Sequence, residues 1–286
     1  MRVRSRRGAL ASPHRVTVSA PHTSKGSIVR LARIAHPDGV AFAAIDGPDG
    51  DQAVREIADH PFGTPSFTGR RWPIAQVRLL APILPSKVIG VGRNYAAHAG
   101  ELGNAVPDEP MIFLKPSTSV IGPGVPVRLP ATSQRIDYEG ELGVVIGRPC
   151  HRVRADDAAG VILGYTVGND VTARDLRKPN GPWLRGKGYD TFCPLGPWIE
   201  TDLDPADVRV RTEVNGEVRQ DGSTRDLIFT IGELIEYCSE VMTLLPGDVI
   251  LTGTPEGVGP VHAGDEVSVA VSGIGALTNP VIADGV

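Results

Sequence analysis

Residues 138–146 read Tyr-Glu-Gly-Glu-Leu-Gly-Val-Val-Ile, an apolar, β-branched run opened by two glutamates and followed by Gly147 and Pro149. A short run of this kind between turn formers reads as a mostly buried strand. Side chains alternate across a strand, so Glu139 and Glu141 share a face that continues through Gly143 and Val145. Tyr138, Leu142, Val144 and Ile146 take the other face. Two carboxylates two residues apart on a half-buried face repel each other and lose hydration. They persist at low cost only with a cation between them. An edge strand with two solvated acids satisfies the same pattern, and these residues alone leave both readings open.

The rest of the chain narrows the choice. At 286 residues it can bury one substantial core with a smaller appendage. Its 34 glycines and 25 prolines, with few aromatic residues, suit a turn-rich enzyme with much β structure. A formal net charge of −4 gives no reason to expect nucleic acid or a membrane surface as partner. No apolar segment approaches the ~20 residues that span a bilayer. Cys150, Cys193 and Cys238 are scattered without metal or redox spacing and read as free thiols of a cytoplasmic protein.

Residues 1–28 stand apart, with Arg2, Arg4, Arg6, Arg7, Arg15 and Lys25 and no acid before Asp38. They read as a disordered basic arm or a start placed too far upstream, and their composition also fits a transit peptide. Residues 29–80 alternate short strands and turns, with a helical pattern near residues 52–58, and form a small N-terminal domain. Residues 81–85 link it to the main domain, 86–284. There strands outnumber helices, an Asn215-Gly216 turn joins two of them, and Thr230–Met242 is the best helix, opened by a Thr230/Glu233 capping box. No βαβ rhythm is sustained. The expected fold class is therefore β-rich α+β, a mixed sandwich or roll.

Three groups of residues carry chemistry. Asp170 ends an apolar strand 29 residues beyond Glu141, and with Glu139 and Glu141 it makes a hard oxygen set suited to Mg2+ or Mn2+ rather than Zn2+. His98 and Glu101 are spaced so that one helical turn brings them together, as activation of a water requires, although a surface pair has the same spacing. Lysine is scarce, at five of 29 basic residues, which singles out Lys115 and Lys187 as donors to a developing enolate. Arg174 and Arg177 suit a substrate carboxylate, and ordinary ion pairing, for example with Asp175, is the alternative for these arginines and for the lysines. The run 251–259 lacks the lysine of a phosphate loop and offers backbone N–H groups and the Thr254 hydroxyl instead.

Six ordered segments resemble the fumarylacetoacetate hydrolase family over residues 85–284. They are Gly92-Arg93-Asn94-Tyr95 with His98 and Glu101, Phe113-Leu114-Lys115-Pro116, the run 137–142, Gly168-Asn169-Asp170 through Asp175, the run 187–194, and Leu251-Thr252-Gly253-Thr254 through Gly259. The resemblance implies the family's mixed β-roll, a homodimer, and a divalent metal held by Glu139, Glu141 and Asp170. It implies His98 and Glu101 on a lid that activates water, and Lys187 at the enolate. Arg93, Lys115, Arg174 and Thr254 become substrate contacts, with Arg177 a weaker candidate. Asn94 stands where the long-chain hydrolases place a further metal-linked Asp, and the N-terminal part is short. Both point to the compact branch acting on acylpyruvates and related 2-oxo acids. The expected reaction is metal-dependent C–C hydrolysis of a 2,4-dioxo acid. Isomerisation or decarboxylation of a related dioate is the alternative, and a retired, metabolite-binding fold the non-enzymatic one.

Overall fold

The strand Gly140–Ile146 is buried at every position and hydrogen-bonded on both edges, so the solvated-edge reading of its glutamates falls away. The computed structural model describes residues 30–48, 50–101, 106–178 and 181–285, apart from the side chains of His98, Ala99 and Glu101. The expectation for residues 1–28 lies outside the described residues.

The strand lies deep in a sheet of twelve. Its main path runs Phe67–Pro73, Ala53–Ile57, Gly39–Asp46, Arg30–His36, Cys193–Glu200, Ile162–Asn169, Gly140–Ile146, Val249–Leu251, Val88–Gly92 and Met111–Lys115. Pairing along this path is antiparallel except where Val249–Leu251 meets Val88–Gly92. Leu142, Val144 and Ile146 pack across to Val210, Val267, Val269 and Leu277 of a five-stranded sheet, forming the main core. Val145 points the other way, into a second cluster with Leu31, Val88, Leu195 and Leu251. Burial on both faces explains why the run is apolar without interruption beyond Glu141. The fold is thus a β-rich mixed sandwich.

The helix Ile231–Val241 closes one end of the main core through Leu234, Ile235 and Cys238. The capping box at Thr230 and Glu233 is formed. Asn215 and Gly216 both take positive φ, 54° and 79°, in the tight turn expected between Arg209–Val214 and Glu217–Ser223.

One feature differs from the sequence reading. Residues 53–57 are a strand rather than a helix, because Ala53–Ile57 is paired on both sides and tertiary pairing overrides a weak local pattern. The segment 81–85 is packed, with Ala81 and Ile83 buried. The N-terminal strands also join the main sheet directly, where Arg30 and Leu31 pair with Glu200 and Ile199. No helix among the described residues is long and apolar enough to cross a membrane.

Candidate active site

Two neighbouring chains change sheets at the same level, and the site lies at that crossing. Ile136–Tyr138 pairs with Thr172–Ala173 and Gly259–Val261, whereas Gly140–Ile146 pairs with Ile162–Asn169 and Val249–Leu251. Glu139 sits in the first break and Asp170 in the second. The Glu139 carbonyl accepts the Asp170 N–H at 2.8 Å, and Asn169 Oδ1 accepts the Glu139 N–H at 3.0 Å. The crossing is thereby stitched, and its two acids are placed beside Glu141 on the adjoining strand. Oxygens of Glu139, Glu141 and Asp170 lie within 4.8 Å of one another, and all three residues are buried.

The glycine between the glutamates has a steric cause. A Cβ at Gly140 would collide with Thr212 Oγ1 and come within 2.9 Å of Val269 Cγ1, both on the opposing sheet. Its N–H donates to Gln220 Oε1 at 3.0 Å, and its carbonyl accepts the Thr254 hydroxyl at 2.8 Å. Gln220 Nε2 donates to the Thr254 hydroxyl at 2.8 Å. The Thr254 hydroxyl, expected at the substrate, braces the peptide that carries both glutamates.

Cations surround the acids. Lys187 Nζ bonds Glu139 at 2.6 Å and also Asp170, and Lys115 Nζ bonds Asp170 at 2.5 Å and the Val171 carbonyl at 3.2 Å. Both lysines are at most 2% exposed, a state that lysine reaches only when paired. Arg174 donates through Nε to Asp137 at 2.7 Å and through its fork to Glu139. Burial works against the Arg174 charge, but Glu139 and Asp137 outweigh it and hold the guanidinium pKa above its usual value.

Glu141 differs from its neighbours. Its Oε2 accepts the Gly253 N–H at 2.7 Å, and no side-chain cation bonds it among the described residues. Burial first, then Asp170 and Glu139, push its carboxyl well above the ordinary range. The donor set is all carboxylate, closely spaced, and one member lacks a counter-charge. That fits a hard divalent cation.

The sequence thus located the three acids and the two lysines that the fold brings together. Arg93 stands at the end of Val88–Gly92 with φ of 56° and its fork against Met111 Sδ at 2.7 Å. His98 and Glu101 fall in the short helix Ala96–Glu101, but their side chains lie outside the described residues. Asn94 is fully engaged by backbone, through Phe229 and the Thr252 carbonyl, so it ties two loops together. Asp137, which anchors Arg174 and Arg135, was missed as a site group. Asp137 lay within the run 137–142, and the N–H that the loop 251–259 offers to Glu141 is that of Gly253, 112 positions away.

A mixed β-sandwich with a carboxylate triad at a strand crossing, backed by buried lysines, defines a class of metal-binding enzyme folds. The chain belongs to the fumarylacetoacetate hydrolase family: residues 87–282 match the fumarylacetoacetate (FAA) hydrolase C-terminal family, and residues 29–82 match the Rv2993c-like N-terminal family. A solved 5-carboxymethyl-2-hydroxymuconate delta-isomerase from Mycobacterium smegmatis is 63% identical, with a TM-score of 0.85 over 89% of this chain and 100% of that one. The mitochondrial oxaloacetate tautomerase FAHD2A of Homo sapiens is 44% identical over 223 residues, 73% of this chain and 71% of the relative. A maleylpyruvate hydrolase from Sphingobium sp. SYK-6, solved with manganese(II) and pyruvate, is 33% identical with a TM-score of 0.72, over 90% of this chain and 100% of that one. Members of the family are enzymes.

Proposed function

We propose that this protein is a Mg2+- or Mn2+-dependent enzyme that enolises a 2-oxo acid. The observation that carries the reading is the Lys187 ammonium, buried between Glu139 and Asp170 at the rim of the triad. The names of the relatives, an isomerase, a tautomerase and a hydrolase, share one step, formation of an enol or enolate beside a carboxylate.

Glu139, Glu141 and Asp170 would hold the ion. When bound, a divalent cation polarises the 2-oxo group and the neighbouring carboxylate. Gly253 and Arg174 fix the orientation of Glu141 and Glu139, and Lys115 fixes Asp170. Asp137, Glu139, Glu141 and Asp170 are matched by Lys115, Arg135, Arg174 and Lys187, so a divalent ion would leave a positive site that attracts an anionic acid. As a water takes the proton from C3, negative charge grows on the 2-oxo oxygen, and Lys187 Nζ donates a hydrogen bond there. Reprotonation at carbon gives the keto tautomer or a double-bond isomer.

Hydrolysis is the second reading, favoured by His98 and Glu101 falling in the single short helix Ala96–Glu101. His98, oriented by Glu101, takes a proton from a water that attacks the C4 carbonyl of a 2,4-dioxo acid. The C3–C4 bond breaks, its electron pair passes to the enolate, and C3 is then protonated. Deuterium exchange at C3 in heavy water, followed by NMR beside product release, separates the two. Exchange on a 2-oxo acid without cleavage of any acylpyruvate supports enolisation; cleavage abolished by His98→Ala supports hydrolysis. No exchange and no cleavage with Mn2+ present would sink both. A homodimer belongs to the same proposal, and light scattering on a sizing column tests it.

A further inference from the structure

Gln220 reaches the glutamate-bearing peptide from the opposing sheet, and it breaks the pattern of its own strand. Glu217–Ser223 lies at the edge of the five-stranded sheet, and Gln220, 1% exposed, is its one buried residue. The apolar Val218 is 46% exposed on the same strand. A polar residue turned in and an apolar one turned out invert what burial alone selects, and such inversions mark functional positions. The inversion has a local cause. Thr212 pairs with Gln220 and Glu213 with Val218, so Arg219 is an extra residue, a bulge. In a regular strand residues 218 and 220 share a face; the bulge sets them on opposite faces and aims Gln220 inward.

Both ends of the Gln220 amide are engaged. Oε1 accepts the Gly140 N–H at 3.0 Å, and Nε2 donates to the Thr254 hydroxyl and the Pro255 carbonyl, each at 2.8 Å. The Thr254 hydroxyl donates in turn to the Gly140 carbonyl at 2.8 Å, which closes a ring around the residue between the two glutamates. Turning the amide over would set its NH2 against the Gly140 N–H and its oxygen against the Pro255 carbonyl, so one orientation alone is allowed. The same side chain thus fixes the glutamate peptide and the loop whose Gly253 N–H holds Glu141 Oε2 at 2.7 Å. Close backbone approach completes the joint. A Cβ at Gly222 would come within 2.5 Å of Pro255 Cβ, and one at Gly257 would strike the Arg219 carbonyl at the bulge.

We infer that Gln220 is a positioning residue: by clamping the glutamate peptide to the loop 251–259 it keeps the triad rigid, and so favours a small divalent ion over the larger Ca2+. Rigidity discriminates by size, because Mg2+ demands near-ideal octahedral geometry whereas Ca2+ accepts longer and more varied contacts. This deepens the proposed function and rests on the triad binding the ion.

Mn2+ titration of the full chain, read by electron paramagnetic resonance with Mg2+ and Ca2+ as competitors, tests it. Gln220→Met keeps the side chain's length without its amide, and Thr254→Val opens the ring from the other arm. Each weakens Mn2+ and Mg2+ about 10- to 100-fold, the usual effect of losing a partner that orients a ligand. Ca2+ loses less, so the Mg2+ to Ca2+ affinity ratio falls about tenfold in each variant. The double variant loses no more than the worse single one, because the ring acts as one unit. Urea midpoints of the metal-stripped proteins check folding, and Thr254→Val, a methyl for a hydroxyl, reads the ratio where Gln220→Met does not fold. An unchanged ratio, an equal loss for all three ions, or fully additive losses overturns the clamp. The two readings fail separately. A tight Mn2+ site with an unmoved ratio refutes the clamp alone, and absence of a tight site in the unaltered protein refutes triad and clamp together.

Discussion

Replacing Lys187 by Met keeps most of the side chain's length and bulk and removes its ammonium. That ammonium is 2% exposed, bonds Glu139 at 2.6 Å and also bonds Asp170. Deleting one partner of a buried ion pair costs about 3–5 kcal/mol, because the other is left without compensation. Here Arg174 still serves Glu139 and Lys115 still serves Asp170, which places the loss near the lower end, about 3 kcal/mol. At about 2–4 °C per kcal/mol for a chain of this size, the metal-stripped variant melts about 6–12 °C below the unaltered protein. Mn2+ brings positive charge to the same oxygens. At 100 times its dissociation constant it returns about 2.7 kcal/mol, so the Mn2+-loaded variant melts close to the metal-stripped unaltered protein. Circular-dichroism melts of both proteins, first in EDTA and then in excess Mn2+, read this directly. An unchanged melting temperature in EDTA, or a variant that Mn2+ does not stabilise, would refute the claim that lysine and metal serve the same carboxylates.

Gly140→Ala forces a methyl group against Thr212 and Val269 and should destabilise the protein by about 1–3 kcal/mol, visible as a lower urea midpoint. An unchanged midpoint would show that the opposing sheet yields freely. Metal stabilisation should also depend on pH. The Glu141 carboxyl titrates above its unfolded value in the metal-free fold, so its proton favours that fold at low pH, and this contribution is lost as pH rises through the raised pKa. The ion needs the carboxylate, so the Mn2+-induced rise in melting temperature should be larger at pH 8 than at pH 5. The opposite trend would exclude Glu141 as a ligand.

How much of this was legible in the sequence follows from the range of each interaction. The alternation at residues 138–146 placed Tyr138 and Leu142 in one core and the glutamates on the other face because period-two patterning is local. The strand-end position of Asp170 was visible for the same reason, as were the Asn215-Gly216 turn and the Thr230 cap. Residues 52–58 misled, since a window that short carries too few apolar positions to separate a helical from an alternating period, and pairing on both edges decides the outcome. The partners of Lys115, Arg174 and Asn94 were out of reach for another reason. Their contacts join residues 55, 35 and up to 158 positions apart. Long side chains carry no local trace of what they will meet. The same holds for Trp183, which lies under the Arg177 guanidinium only because Gly92 leaves space for it.

The central claim is that Glu139, Glu141 and Asp170 form one divalent-metal site. Titrating Mn2+ into metal-stripped protein, with free ion counted by electron paramagnetic resonance, tests it most directly. The account predicts one tight site per chain, weakened roughly 100-fold or more in Glu141→Gln and in Asp170→Asn, with both variants folded. Absence of a tight site in the unaltered protein, or equal Mn2+ affinity in the variants, would contradict it.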